Sequence, residues 1–523
     1  MVQRRKPNRG RRSVPRTLPA PTGGLNGRDA LGDMPPEDAF RMENWIPNNT
    51  SVDTRGGSDD WATGVPAAVE SLEVYTGGAG SKMLAFGDGK IYDVTLGGAV
   101  GAALLSSRSS DIVTTAMFSN AGTQFLLIYS GADQPLSYDG TSLVGLTITG
   151  LTGSQNTTHS PMAFKGRVFI AQEDQLGFYY LGVGAIQGAA SYFDLSQQSF
   201  KGGALLTQVS VSTDGGAGPQ DYAVFVTTEG EYIVYSGTDP SNAATWALVG
   251  RYYGPTPIGR KGWFKFRSDV YFITDEGVLS LTEIRQLGQE NKDDMYLTGK
   301  LGRYFSDAVR YRDTHGWTGV IYPRGRMLLI NCPLTGSTAG EYTQFVMNTS
   351  GKDRWTQFRG WDALCFTVFN QRLYFGTFDG KVVLADEGFT DNGAAVNAVA
   401  RQAWNTHDDD YGMGDANKRY HMVSFAVSAD GAPALACTLN INYENDEPQV
   451  ITALAPTSGA EWDLADWDVE DWAGEAATQH LTVQIGKFGY ISSVWMKAEA
   501  TASEIRWYAS RILIERTKGV LFQ

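Results

Sequence analysis

One pattern recurs down the middle of this 523-residue chain: a strand–turn–strand hairpin of aromatic and β-branched residues. It reads KMLAFGDGKIYDV from Lys82, FLLIYSGADQPLSYDG from Phe125, RVFIAQEDQLGFYYLG from Arg167 and YAVFVTTEGEYIVYSG from Tyr222. It returns as VYFITDEGVLSLTEI from Val270, RMLLINCPL from Arg326 and RLYFGTFDGKVVLADEG from Arg372. Successive starts are 43, 42, 55, 48, 56 and 46 residues apart. A four-stranded sheet needs about that much chain, whereas a sandwich turns every 8–12 residues with no longer period. Such a sheet cannot bury both faces alone, so consecutive sheets must stack around an axis. The turns Gly87-Asp88-Gly89, Glu229-Gly230, Glu276-Gly277 and Asp379-Gly380 suit tight hairpins, where glycine supplies positive φ. The expected fold is all-β: a propeller of six to eight blades over residues 61–394. No WD or kelch signature is present.

Two regions break the period. Leu297, Leu301, Tyr304, Phe305 and Ala308 fall on one helical face, which predicts a helical insertion over 297–310, with Thr298 as its cap. From residue 395 to 523 the hairpins stop. Strand-like runs at 420–428, 433–443, 479–487, 490–500 and 503–515 predict a separate antiparallel β-domain, a sandwich or platform.

The N-terminal 60 residues read as an arm and a clamp. Residues 1–22 are rich in Arg and Pro and poor in large apolar residues, so they are expected to be flexible. Pro35-Pro36-Glu37-Asp38 has the composition of a helix start, with Phe40, Trp45 and Ile46 as anchors. Charge is split in the same way. The net formal charge is −14, yet residues 1–16 hold seven cations and no acid, which leaves about −21 on the rest. Arg4, Arg5, Lys6, Arg9, Arg11 and Arg12 are therefore candidates to contact DNA phosphates or an acidic neighbouring subunit. The second is favoured, because no aromatic residues interleave to stack on bases.

Catalytic signatures are missing from the sequence. The five histidines have no HExxH or HxH spacing, and no P-loop or GxSxG elbow occurs. Gly182 to Gly188 is one residue too long for a dinucleotide fingerprint and reads as a turn. Ser212-Thr213-Asp214-Gly215-Gly216 begins like a sialidase Asp box but lacks its aromatic residue. His407-Asp408-Asp409-Asp410 reads as a solvated acidic loop, and Trp462 to Trp472, with three tryptophans among acids, as an aromatic-anchored connection. Cys332, Cys365 and Cys437 are too few for a disulfide framework and are expected to be buried thiols. No catalytic, cofactor-binding or metal-binding residue is assigned, and no stretch is apolar enough to span a membrane.

A resemblance can be named on residues 20–60. Gly23-Gly24-Leu25-Asn26, then Arg28-Asp29, lead to Met34-Pro35-Pro36-Glu37-Asp38-Ala39, Asn44-Trp45-Ile46-Pro47 and Val52-Asp53-Thr54-Arg55-Gly56-Gly57. This resembles the N-terminal pattern of tail nozzle, or tubular tail, proteins of short-tailed bacteriophages. The resemblance implies a virion protein, assembled in the host cytoplasm as a hexameric ring below the portal and adaptor. Its channel would pass the genome and its outer face would hold fibres or spikes. It further implies that Gly23, Gly24, Leu25, Asn26, Arg28, Asp29, Pro35, Trp45 and Arg55 form an assembly clamp toward the adaptor. Two other readings stay open: a glycan-binding receptor propeller, and a polysaccharide depolymerase with facing carboxylates in a central funnel.

Overall fold

The computed structural model describes residues 13–78, 80–214, 219–286, 295–336, 341–351, 354–408, 416–429, 434–451, 478–501 and 503–517. The fold is all-β and propeller-like. Each hairpin picked out by the repeat lies within one antiparallel sheet, but the four-stranded expectation is corrected for the first and fifth sheets, which have three strands, the hairpin being the last two. The first sheet is Ser71–Gly77, Gly80–Gly87 and Lys90–Asp93; the second runs from Thr114–Asn120 to Leu143–Gly145. Thr158–Phe164 opens the third, Leu205–Asp214 the fourth, Trp263–Phe266 the fifth and Thr318–Tyr322 the sixth. The last consists of Ala363–Phe369, Arg372–Thr377, Val382–Ala385 and a strand from far upstream, Ser58–Thr63.

The first strand of each sheet lies toward the axis, where it meets the sheet before and the sheet after. Ala363–Phe369 packs against Ser71–Gly77, so the circle closes. Apolar clusters fill the spaces between sheets. Leu84, Phe86, Ile128 and Leu136 fill the first gap, and Leu127, Ile148, Val168 and Ile170 the second. Phe169, Phe178, Phe225 and Trp246 form a ring-stacked third, in which Phe178 and Phe225 lie 4.3 Å apart and nearly parallel. Alternation of side chains across the strand gives every sheet two apolar faces, and only a circular stack covers both.

The helical insertion exists in part. Gly299–Leu301 is a 3-10 turn and Arg303–Val309 an α-helix, with Leu301, Phe305 and Ala308 buried. Thr298 does not cap it; its hydroxyl accepts from the Val278 N–H instead (3.0 Å). The helix wedges beside the fifth and sixth sheets, and its core runs without a break into the C-terminal domain.

That domain is a sandwich, and the N-terminal residues are part of it. One sheet runs Trp45–Pro47, Val52–Thr54, Ile505–Arg516, Lys418–Ala429 and Gln479–Gly489, with Ser13–Pro19 also paired to Ile505–Arg516. The facing sheet pairs Asp38–Glu43 with Ala394–Gln402, then Ser492–Ala500 and Ala434–Ile441. Two expectations are corrected here. Ser13–Pro19 is an ordered strand, not flexible arm, because Ile505–Arg516 supplies its backbone partners over the whole length. The segment after Pro35-Pro36 is the strand Asp38–Glu43, not a helix, because pairing with Ala394–Gln402 overrides the local composition.

Candidate functional site: the N-terminal interlock and the axial cavity

The residues that carry the family resemblance converge on the junction between ring and sandwich. Gly24 (φ +86°) passes so close to Trp355 that a Cβ there would sit 2.5 Å from its carbonyl oxygen. Asn26 is 1% exposed; its Nδ2 donates to Asp29 Oδ2 and to Asp38 Oδ2, both at 2.8 Å. Its Oδ1 accepts the N–H groups of Arg28 and Asp29, so one side chain folds the whole Leu25–Asp29 turn. Lys300, in the 3-10 turn of the helical insertion, reaches Asp38 Oδ1 (2.7 Å) and the Gly23 carbonyl (2.7 Å).

Arg55 is the centre of a second knot. The side chain is 1% exposed and forms a two-pronged ion pair with Asp391, Nη1–Oδ1 3.0 Å and Nη2–Oδ2 2.6 Å. Nε donates to Asn44 Oδ1, Nη1 to the Gly56 carbonyl and Nη2 to the Arg359 carbonyl. The guanidinium lies 4.6 Å from the Trp361 ring centroid. Asn44 in turn donates to the carbonyls of Arg359 and Asn397. Three residues past Arg55 begins the strand that completes the last sheet, so this knot fixes where the circle closes. Gly57 is required beside it, since a Cβ would meet the Thr390 carbonyl oxygen at 2.1 Å.

Within the subunit, then, Gly24, Leu25, Asn26, Trp45 and Arg55 are buried in intrachain contacts, Gly23 and Asp29 are half-buried, and Arg28 and Pro35 are exposed. Arg4, Arg5, Lys6, Arg9, Arg11 and Arg12 lie outside the described residues, as does the tryptophan-rich segment from Trp462 to Trp472. Of the acidic run after His407, only Asp408 is described. His407 itself is buried against Ser492 (Nε2–Oγ 2.7 Å), and burial pushes its pKa down to about 3. No cluster of three metal-ligating side chains occurs among the described residues, and no helix among them is long and apolar enough to cross a membrane. All three cysteines are buried and free.

One site escaped the sequence reading: a cavity of about 240 Å³ on the ring axis. The inner strand of every sheet contributes to its wall, including Thr114 and Thr115, Thr207 and Gln208, Trp263 and Thr318. Lys261 bridges to Glu73 (3.0 Å), whose other oxygen accepts from Thr115 (2.7 Å). Arg260 pairs with Glu173. His315 Nε2–H donates to the Glu70 carbonyl (2.9 Å); burial holds its pKa at about 4, so the ring is neutral at pH 7. Burial, with Asp111 adding to it, raises the Glu70 carboxyl above its ordinary value. Because the wall takes one or two polar residues from each sheet, no local motif announces it.

No known protein family matches the chain, and no curated protein matches it. Among solved structures, it is similar to BBS1N, crystallised in complex with ARL6DN. That match has 11% identity over 44% of this chain and 73% of that one, with a TM-score of 0.30. It is also similar to the computationally designed Ika8 protein, at 12% identity over 66% of this chain and 96% of that one, TM-score 0.35.

Proposed function

We propose that this chain is a structural tail component of a short-tailed phage, a subunit of the nozzle ring that conducts the genome. In this reading the circle of sheets is a seven-bladed β-propeller closed by Ser58–Thr63, and the sandwich is the platform through which six copies join. The observation that supports it most is how the segment from Gly23 to Gly57 is used. Its residues lock propeller to sandwich, while the loop between Arg28 and Glu37 keeps Arg28, Leu31 and Pro35 at the surface. A motif of this kind serves a subunit whose two bodies must hold a fixed angle under load. The acidic body suits a conduit, since it repels phosphates and lets DNA slide.

The buried interlock also dictates the experiment. Deleting residues 1–57 removes strands from both sheets of the sandwich, so the informative variants are smaller. Purified full-length protein is expected to form rings of six by native mass spectrometry and to be found in the tails of virions by immunogold labelling. Arg28→Ala with Pro35→Ala is expected to leave the monomer folded and to weaken ring formation or adaptor attachment. A protein that stays monomeric at all concentrations and is absent from tails would refute the proposal.

A further inference from the structure

The outer edge of the fourth sheet carries a patch of aromatic rings and cations. Trp246–Tyr253 is the last strand of that sheet and pairs with Glu231–Gly237 on its inner side. Beside it stands Phe200, 71% exposed, with the Arg251 guanidinium 4.3 Å from its ring centroid. Lys201 Nζ lies 5.6 Å from the ring centroid of Tyr253, which is also exposed. Lys201 Nζ donates to the Glu229 carbonyl (3.0 Å) and Arg251 Nη1 to that of Gln198 (3.1 Å). Among the described residues, both cations thus rest on neutral groups and not on a carboxylate, in a chain of net charge −14.

The loop that presents Phe200 is anchored from beneath. Glu231 is 2% exposed, and its carboxylate accepts from the Ser199 hydroxyl and from the N–H groups of Phe200 (2.9 Å) and Lys201 (3.2 Å). A buried carboxylate is costly unless donors meet it. Here the donors come from the very residues that hold the exposed ring. An aromatic side chain fixed in this way loses little freedom when a partner covers it, as suits a binding anchor.

Whatever covers the patch must bring acids for the cations and apolar surface for the rings. Residues 461–472 of this chain hold six acids, three tryptophans and no cation. Carboxylates form charge-assisted hydrogen bonds with Lys and Arg, and indole is the strongest cation–π partner. Residues 452–477, which lie outside the described residues, leave the sandwich after Gln449–Ile451 and rejoin it before Gln479–Gly489. Tied at both ends, that length reaches at most about 45 Å. The core of the sandwich takes in residues of the fifth and sixth sheets and none of the first four, so the sandwich does not pack on the fourth sheet of its own chain. That placement favours a second copy as the source. Two cations make no basic groove of the kind that tracks a nucleic-acid backbone, whereas a short acidic segment needs no more.

We propose that residues 461–472 of a neighbouring copy dock on this edge, with indoles against Phe200 and Tyr253 and carboxylates on Lys201 and Arg251. This rests on the reading that copies of the chain associate, and it names a surface through which they do so. The test is zero-length carbodiimide cross-linking of the full-length protein. Light and heavy-nitrogen stocks are mixed below the concentration at which they associate and then concentrated, and the joined peptides are identified by mass spectrometry. Lys201 is expected to join to carboxylates of residues 461–471 in light–heavy pairs. The yield is expected to fall about tenfold or more in Phe200→Ser, and also when Trp462→Ser, Trp467→Ser and Trp472→Ser are combined, in variants that keep the wild-type melting temperature. A synthetic peptide of residues 459–475 is expected to compete, and an oligothymidine strand is not. Associated protein with no such join, joins only in light–light and heavy–heavy pairs, undiminished yield in both variants, or competition by oligothymidine alone would each overturn the proposal while leaving assembly standing. Protein that never associates would refute the assembly reading and this proposal with it.

Discussion

Replacing Arg55 with alanine is expected to open the ring at its seam without unfolding the other sheets. The guanidinium makes five hydrogen bonds, two of them to the Asp391 carboxylate, and is 1% exposed. Its loss takes the cation from Asp391, which keeps only the Ser58 hydroxyl and the Trp361 Nε1–H, and one donor each from Asn44 Oδ1 and the Arg359 carbonyl. Breaking one partner of a buried pair costs about 3–5 kcal/mol, because the remaining charge keeps its desolvation penalty. The affected backbone is Ser58–Thr63, which follows Arg55, and its partner Val382–Ala385. If the cost of about 4 kcal/mol falls on local opening there, amide exchange of both strands rises by about three orders of magnitude. Hydrogen-exchange mass spectrometry reads this directly. Peptides from the third and fourth sheets, across the ring, are expected to stay at wild-type rates. Adding Asp391→Ala should recover about 2 kcal/mol, since the orphaned carboxylate is gone. The reasoning fails if Arg55→Ala leaves the seam peptides within about twofold of wild type, or if exchange rises uniformly around the ring.

Other consequences can be tested alongside. His407 has a folded pKa of about 3 against an ordinary 6.5, so the unfolded chain binds its proton first. The resulting stability is complete above about pH 6.5 and is lost progressively as pH falls toward 3; His407→Gln, compared with wild type by urea denaturation at pH 7 and 4.5, should flatten that loss. Gly57→Ala places a Cβ against the Thr390 carbonyl oxygen and is expected to destabilise the same seam by about 2–3 kcal/mol, with exchange again localised to Ser58–Thr63. The thiols of Cys332, Cys365 and Cys437 are buried, and burial pushes that of Cys365 up to about 12. Iodoacetamide should label none of them in native protein and all three in guanidinium.

The hairpins were legible because their signal is local: two alternating runs meet at a tight turn, and each lies within one sheet. What the sequence hides is pairing over long distances. Ser13–Pro19 contains two prolines and an arginine, and only Leu18 is fully buried, so nothing nearby marks it as a strand. Its partner begins at Ile505. Ser58–Thr63, SDDWAT, has a weak strand composition and belongs to the last sheet only because Val382–Ala385 waits for it. Pro35-Pro36-Glu37-Asp38 offered good helix-start chemistry, yet Asp38 is claimed by Lys300 and Asn26. For the motif residues, the sequence pattern marked their importance but not their direction, since burial cannot be read from a string of Gly, Asn, Trp and Arg. The axial cavity was invisible for a related reason: Thr115, Gln208 and His315 come together only when the circle is closed.

The pairing of Ser13–Pro19 with Ile505–Arg516 has a consequence for biosynthesis. At about 5–20 residues per second, the first strand emerges from a ribosome roughly 25–100 seconds before its partner exists. Until then Val14, Leu18 and Trp45 have no sandwich to enter. A ribosome that stalls anywhere before residue 505 therefore releases a product with a misplaced N-terminus. Translation to the final strands becomes a checkpoint, so that only polypeptides extended that far can offer a correctly mounted subunit to their neighbours.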